Sequence, residues 1–202
     1  MCDIISREYV LMRKRWEFMQ PRKLIEFFGV VEKLKCNTRH SWTSNGRQES
    51  VAEHSWGLAI MAMLVADEFP DIDIEKVLKM CVIHDLGEAI TGDIPAFDKT
   101  NEDEKAEDKA IEYLLKLLPD DISNEFSELV IEMNELSTEE AKLVKALDKL
   151  EVLVEHNISS LDTWMPKEYS LNLVHGDKYV EYSEYLKLLR EEIRKDTIEK
   201  IK

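Results

Sequence analysis

Three ionisable residues stand close together where a helical pattern should continue with apolar side chains. In "CVIHDLGEAITGDIP" (81–95), His84, Asp85 and Glu88 follow Cys81 at helical spacing, on the side that should face the core. Side chains three and four positions apart share one helix face. Because an unpaired buried carboxylate is costly, such groups must be paired or must bind a metal ion. The spacing therefore predicts either hydrogen-bonded core residues or metal ligands.

Two other segments place a metal-binding residue type in an apolar helix. His54 begins the most apolar stretch of the chain, "SVAEHSWGLAIMAML" (50–64), and Asp148 lies inside "AKLVKALDKLEVLV" (141–154), which is apolar on two sides. The simplest arrangement is one divalent cation bound by His54, His84, Asp85 and Asp148. Two imidazoles and two carboxylates suit Mn, Co, Fe, Ni or Zn better than Mg or Ca, which prefer oxygen ligands.

The elements that must position these residues are predicted to be helices. Apolar residues recur at helical spacing, a charged loop occupies 92–108, and Ser137 with Glu140 forms a capping-box pattern before the strongest helix. The polar stretch 35–50 contains Asn-Gly, a turn signal, and no strand is predicted. The predicted helices cover 21–34, 50–69, 74–91, 109–119, 124–136, 137–158 and 177–202. We expect one all-α domain, a helical bundle over 1–202, whose last element is an amphipathic helix at about 177–202.

Composition narrows the classes of function. The chain has 202 residues, 44% of them hydrophobic, with only 6 Gly and 5 Pro, which favours a compact helical domain. The formal charge of −15 argues against a nucleic acid polymer as partner. No apolar run approaches the roughly 20 residues that span a bilayer. Three distant cysteines without a CxxC pair indicate reduced thiols, so we expect a cytoplasmic protein with no membrane partner.

The ordered set of motifs resembles one known family. The order His, His-Asp, Asp is similar to that of the HD-domain metal-dependent phosphohydrolases, and most similar to their 5′-deoxynucleotidase branch. The matching residues are Arg39 and Trp42 before the first His, then "SVAEHSW", "HDLGEAITGDIP" and "KALDKLE". The resemblance covers about 22–160, the part of the chain that carries the motifs.

The resemblance implies a role for each matching residue. His54, His84, Asp85 and Asp148 would be the metal ligands, Glu88 the acid/base group, and Arg39, Trp42 and Asp93 the contacts to phosphate, pocket wall and sugar. The implied activity is hydrolysis of 2′-deoxyribonucleoside 5′-monophosphates to nucleoside and phosphate, with one divalent transition metal. The implied assembly is a homodimer, and an apolar stripe of the tail, Tyr179, Tyr182, Leu186 and Leu189, is a candidate interface.

Several residues keep a second interpretation. Position 40 is His where one branch of the family has Trp, and the Trp lies at 42 instead. Arg39 could be a surface residue, Trp42 core packing and Asp93 a turn residue after Gly92. Glu151 could support the site or be a solvated charge. His40, His156 and His175 are interpreted as surface residues.

Two other functions remain open. HD domains also include phosphodiesterases and phosphohydrolases of other nucleotides, and a non-catalytic nucleotide-binding scaffold would keep the same fold. Many two-metal HD enzymes have Lys where this chain has Glu88, which favours one metal and a monoesterase.

Overall fold

A computed structural model describes residues 19–95 and 97–202 of the chain. The predicted domain of 1–202 therefore begins in a segment, 1–18, that lies outside the described residues, as does Cys2. The motif-bearing part lies inside them, except for Ala96. The free thiols of the described residues are Cys36, which is exposed, and Cys81, which is buried.

Helices dominate the described part of the chain, which confirms the all-α prediction. Short 3₁₀ segments follow two of these helices, at Glu32–Lys35 and Ala66–Glu68, and a third lies at Leu161–Thr163. The helices are α1 Pro21–Val31, α2 Val51–Val65, α3 Ile74–Ile83, α4 Glu88–Thr91, α5 Asn101–Leu115, α6 Asp120–Glu135, α7 Glu139–Ile158, α8 Glu168–Leu171, α9 Asp177–Val180 and α10 Glu184–Lys200. In the described ranges no helix combines the length and the apolar character needed to cross a membrane.

A small hairpin corrects the prediction that 35–50 contains no strand. Strand β1 (Thr38–Trp42) pairs antiparallel with β2 (Gln48–Ser50), and Gly46, with φ +81°, makes the turn after Asn45. The sequence pattern did not indicate these strands because their buried side chains, which include Arg39, Ser41 and Glu49, are polar. Alternation of apolar and polar residues, the usual strand signal, is therefore absent.

The predicted helix 74–91 is interrupted at the His-Asp pair. Helix α3 ends at Ile83 and α4 begins at Glu88. Between them the Leu86 N–H donates to the Ile83 carbonyl and the Glu88 N–H to the Asp85 carbonyl, both at 3.0 Å. These i to i−3 hydrogen bonds tighten the backbone relative to an α-helix. The two metal-ligand candidates of this segment thus lie on a tight turn at the end of a helix.

Several other element boundaries differ from the prediction, and three of them change how an element is described. Helix α5 begins at Asn101, inside the stretch predicted as a charged loop, and Thr100 caps it. The cap of α7 is Thr138, whose side chain accepts from the Ala141 N–H, instead of Ser137. The tail is two helices, because α9 ends at Val180 and Ser183 caps a new helix. Caps that differ by one residue arise from local hydrogen bonds that periodicity does not report.

The core lies between α2, α3 and α7, with α10 packed on the outside of α7. Its fully buried members include Leu58 from α2, Val77 from α3 and Leu147 from α7. Leu186 of α10 is also fully buried. Because this central layer comes from the helices that carry the candidate ligands, the core itself fixes their relative positions.

The apolar stripe of the tail packs on this chain's own core. Leu186 belongs to the core, and Tyr179 and Leu189 are partly buried against it. Only Tyr182 has a largely exposed side chain, at 42%. The stripe therefore helps to stabilise the domain itself, and its use as a dimer interface stays a prediction.

Candidate metal centre and active site

His54 is presented by the first turn of α2. A capping box begins this helix: the Ser50 side chain accepts from the Glu53 N–H, and the Glu53 carboxylate accepts from the Ser50 N–H. His54 is fully buried, and its Nδ1 lies 2.5 Å from Oε2 of Glu151 on α7. Nδ1–H therefore donates to the carboxylate, which leaves the lone pair of Nε2 free for a metal ion.

His84 is oriented by the backbone of its own helix. Its Nδ1 lies 2.9 Å from the carbonyl oxygen of Cys81, so this nitrogen donates and Nε2 keeps its lone pair. The His84 and His54 rings lie 5.3 Å apart, centroid to centroid. Both Nε2 atoms are buried and make no hydrogen bond to the described residues. Unpaired buried nitrogens of this kind require a partner that the protein itself does not supply.

Two carboxylates face these nitrogens. Oδ2 of Asp85 lies 3.0 Å from Nε2 of His84 and 3.9 Å from Nε2 of His54. Oδ1 of Asp148 lies 3.3 Å from Nε2 of His54. Donor atoms that share one cation at about 2.1 Å lie roughly 3.0–3.4 Å apart when they are neighbours. The donor atoms of His54, His84 and Asp148 lie within 4.8 Å of one another, as one transition-metal ion requires, and Asp85 lies beside the two imidazoles.

The electrostatics of the centre favour a cation. Burial alone would raise the pKa of Asp148, but the positive charges of Lys149 and Lys145 outweigh it and hold that pKa well below its usual range. The pKa of Asp85 is also lowered, because His84, His54 and Arg39 outweigh its burial. Both aspartates are therefore ionised at neutral pH, which is the form that binds a metal.

Glu88 begins α4 and points into the same cavity. It is 5% exposed, and its Oε2 is buried without a hydrogen-bond partner among the described residues. Burial, reinforced by the negative charges of Asp85 and Asp93, raises the pKa of Glu88 to about 9. The side chain of Asn37 donates to the Glu88 carbonyl at 2.5 Å and joins the hairpin to α4. Glu88 thus combines a fixed position with a strong affinity for a proton.

Arg39 joins the metal centre to Asp93. Its Nη1 lies 3.4 Å from Oδ2 of Asp85 and 3.4 Å from Oδ1 of Asp93, and its Nε lies 3.5 Å from Glu49. Burial opposes its charge, but Asp85 and Asp93 raise the pKa of Arg39, so the guanidinium stays charged. Arg39 is buried instead of lying on the surface. Its Nη2 makes no ion pair within the described residues and is available to an anion.

Asp93 and Trp42 have different positions relative to the cavity. Asp93 follows Gly92, whose φ of +77° turns the chain at the end of α4, and it lines the cavity beside Arg39. Trp42 is half-buried at the end of β1 and is not among the residues that line the cavity, whereas His40 is. The role of Trp42 as pocket wall stays a prediction.

The sequence left Glu151 open between support of the site and a solvated charge, and it did not identify Glu49. Glu151 lies one turn after Asp148 and holds His54, and Glu49 is buried beside it. Burial and the neighbouring Glu151 raise the pKa of Glu49 to about 8. Gly57 makes room for this pair, since a Cβ there would lie 2.7 Å from Oε1 of Glu151. The available signal was the position of Glu151 on the buried face of α7.

One cavity of about 1090 Å³ is lined by His84, Asp85 and several of the other candidates, whereas His54, Glu49, Glu151 and Trp42 are not among its lining residues. Arg39, Glu88, Asp93 and Asp148 line one part of it, and His156 and His175 line another. The volume exceeds the upper end of the usual range for small-molecule sites, about 1,000 Å³, so a molecule the size of a nucleotide fits.

Comparisons with known proteins agree with this geometry. A family model described as an HD domain matches residues 31–190. The 5′-deoxynucleotidase HDDC2 of Dictyostelium discoideum is 35% identical over 141 residues, which cover 65% of this chain and 74% of that protein. The 5′-deoxynucleotidase HDDC2 of Homo sapiens is 34% identical over 138 residues, which cover 66% of this chain and 67% of that protein.

Solved structures are similar over most of the fold. A protein from Magnetospirillum magnetotacticum, described as a predicted metal-dependent phosphohydrolase, has a TM-score of 0.76 and 29% identity, covering 89% of this chain and 93% of that one. A conserved hypothetical protein from Pyrococcus furiosus has a TM-score of 0.65 and 34% identity, covering 85% of this chain and 99% of that one.

Proposed function

We propose that this chain, which belongs to the HD-domain family, is a metal-dependent phosphomonoesterase that hydrolyses 2′-deoxyribonucleoside 5′-monophosphates to deoxynucleoside and phosphate. The observation that carries the proposal is the convergence of His54, His84 and Asp148, with Asp85 within 3.9 Å of both imidazoles, beside the cavity that Glu88 and Arg39 line. The similarity to 5′-deoxynucleotidases supports the same reaction and a small nucleotide substrate.

The donor set supports a single divalent transition metal. Two buried Nε2 atoms without hydrogen-bond partners face two ionised carboxylates, and Mn, Co, Fe, Ni and Zn all accept this mixture. When bound, such an ion lowers the pKa of water and withdraws electron density from a phosphoryl oxygen. Glu151 and the Cys81 carbonyl fix the two imidazoles in the ligand tautomer.

Arg39 and Glu88 provide the remaining chemistry. Arg39 Nη2 binds the phosphate oxygens, and the guanidinium stabilises the charge that develops on them. The carboxylate form of Glu88, which a cation at the neighbouring centre would favour, takes a proton from the attacking water as the water oxygen bonds to phosphorus. The bond from phosphorus to O5′ breaks, and Glu88 returns the proton to O5′ of the departing nucleoside. A carboxyl group with a raised pKa is suited to both halves of this transfer.

A phosphate-release assay tests the proposal. Purified protein is loaded with each candidate metal and offered nucleoside mono-, di- and triphosphates, with ribose and deoxyribose versions of each base. We expect phosphate from deoxynucleoside monophosphates in preference to all others. Absence of phosphate release from every monophosphate at full metal occupancy would contradict the proposal.

A homodimer in the cytoplasm is the assembly and location that accompany this function. Because most of the tail stripe packs against the core of its own chain, a second surface is a better candidate for the interface. Helix α2 offers exposed apolar side chains, with Trp56 at 68% and Leu64 at 79% exposure, and these support an interface between copies. Light scattering of the wild-type protein and of the Leu64→Lys variant tests this interface. We expect the wild type to be a dimer and the variant a monomer. A monomeric wild type would contradict the proposed homodimer.

A further inference from the structure

A second cluster of metal-ligand residue types lies on another wall of the cavity. His40 from β1, His156 from the last turn of α7 and Glu168 from the start of α8 meet there. Their three donor atoms lie within 4.8 Å of one another. None of the three belongs to the metal centre described above, and the cluster does not depend on the proposed function.

The spacing of the donor atoms suits a metal ion better than hydrogen bonds. Oε1 of Glu168 lies 3.3 Å from Nε2 of His40 and 3.5 Å from Nε2 of His156. Nitrogen-to-oxygen hydrogen bonds are usually about 2.7–3.2 Å long. Donor atoms placed tetrahedrally around zinc at about 2.1 Å are roughly 3.4 Å apart. The observed separations agree with the second value.

The buried atoms of the cluster have no other partner. His156 is 4% exposed and Glu168 is 2% exposed. Nε2 of His156 and Oε1 of Glu168 are buried and make no hydrogen bond with any described residue. Leaving an imidazole nitrogen and a carboxylate oxygen unpaired in the interior is unfavourable. These two atoms face each other and Nε2 of His40. A cation placed between the three donor atoms would give each of them a partner.

The outer polar atoms of His156 and Glu168 are held by hydrogen bonds, and His40 is held by ring packing. Nδ1 of His156 lies 3.0 Å from Nδ2 and 3.2 Å from Oδ1 of the buried Asn172, and with the amide oxygen turned toward the ring Nδ1–H donates to it and Nε2 keeps its lone pair for a metal. Oε2 of Glu168 accepts from the backbone N–H of Met165 at 2.6 Å. The ring of Phe97 packs edge-on against His40 with centroids 5.5 Å apart. Outer contacts of this type orient metal ligands and raise affinity.

The protonation states agree with a ligand role. Burial lowers the pKa of His156 to about 4, and burial together with His156 lowers the pKa of His40 to about 4. Both imidazoles are therefore neutral at neutral pH, as metal ligands must be. Because His40 and His156 are both neutral, neither supplies a positive charge to balance the negative charge of Glu168. The sequence interpretation of His40 and His156 as surface residues was thus wrong, since His156 is buried and His40 half-buried.

We propose that His40, His156 and Glu168 bind a second divalent transition-metal ion of the zinc type, with three protein ligands and one position open to the cavity. Three ligands with an open fourth position are typical of zinc sites that also bind water or a small molecule. His156 lies eight residues after Asp148 on α7, so the two centres are about 12 Å apart along the helix. The two ions are therefore independent and do not share a ligand.

Cobalt titration of metal-free protein tests the second site. Co²⁺ reports its coordination through visible absorption bands, and equilibrium dialysis with elemental analysis gives the number of ions per chain. We expect two ions in wild type, one in His40→Gln, one in Glu168→Gln and one in Asp148→Asn. The double variant Asp148→Asn with Glu168→Gln should bind none.

Matched controls separate loss of a ligand from loss of structure. His175→Gln removes another half-buried histidine of the same cavity and should keep both ions. Circular dichroism in the presence of chelator checks the fold of each variant. If Glu168→Gln does not fold, the result rests on His40→Gln, because His40 is only half-buried and its replacement disturbs the core less. A single ion in wild type, two ions in folded His40→Gln, or loss of an ion in His175→Gln would overturn the proposal.

Discussion

His54 and Glu151 are joined by a hydrogen bond of 2.5 Å between α2 and α7, although 97 positions separate them in the chain. The contact fixes the tautomer of His54 and turns Nε2 toward His84, Asp85 and Asp148. Both partners are buried, so water cannot replace either one. The position of an ion at this centre would therefore depend on a carboxylate that is not one of its ligands.

Replacing this carboxylate should weaken metal binding without removing it. Glu151→Gln keeps the size of the side chain but loses the charge that raises the basicity of His54. Loss of such an outer contact typically weakens metal affinity about 10–100-fold. The dissociation constant of the ion at the His54 centre, measured by titration of metal-free protein, gives the result. Glu139→Gln, on the exposed start of the same helix, is the control, and equal constants in all three proteins would contradict the role.

Removing a direct ligand should have a larger effect. Asp148→Asn deletes one of two ionised carboxylates, and we expect the chain to bind one ion fewer. Since an ion that binds only the folded state stabilises it, the variant should also lose the rise in melting temperature that metal gives wild type at this centre. Elemental analysis and thermal unfolding with and without chelator measure both. An unchanged metal content would remove Asp148 from the ligand set.

Glu88→Gln should separate catalysis from binding. The amide keeps the shape of Glu88 but cannot accept and return a proton, so kcat on a deoxynucleoside monophosphate should fall about 10²–10⁴-fold. Metal content and melting temperature should remain those of wild type. Glu107→Gln is the control, because Glu107 lines the same cavity but pairs with Lys99 at 2.6 Å. A fall in kcat below about tenfold at equal metal occupancy would exclude Glu88 as the acid/base group.

Asp93 should influence the choice of sugar. It lies at the rim of the cavity against Arg39, where a carboxylate can accept from the 3′-hydroxyl and crowd the 2′ position. A mismatch of one or two kcal/mol corresponds to a factor of about 10 in specificity. Asp93→Ala should therefore lower kcat/KM for both sugars and narrow the ratio between dAMP and AMP. An unchanged ratio of kcat/KM between dAMP and AMP in the variant would show that Asp93 does not select the sugar and acts only as a turn residue.

The sequence by itself determined the all-α fold class and the four candidate ligands of the first metal centre. His84 with Asp85 interrupts an apolar stripe, and His54 and Asp148 lie in helices too apolar to hold an unpaired charge. These signals are local, because helical periodicity states which side chains share a face. The same information predicted that α7 is buried with Asp148 inside, which the structure confirms.

Only the tertiary structure decided what each buried group faces. The tight turn at His84 and the polar hairpin left no periodic signal, and the tail stripe could have faced a partner or the core. Glu151 reaches His54, and His40 reaches Glu168, across sequence separations that no local pattern encodes. Packing of helices far apart in the chain selects these partners, because the cost of burying a charge depends on its neighbours in space.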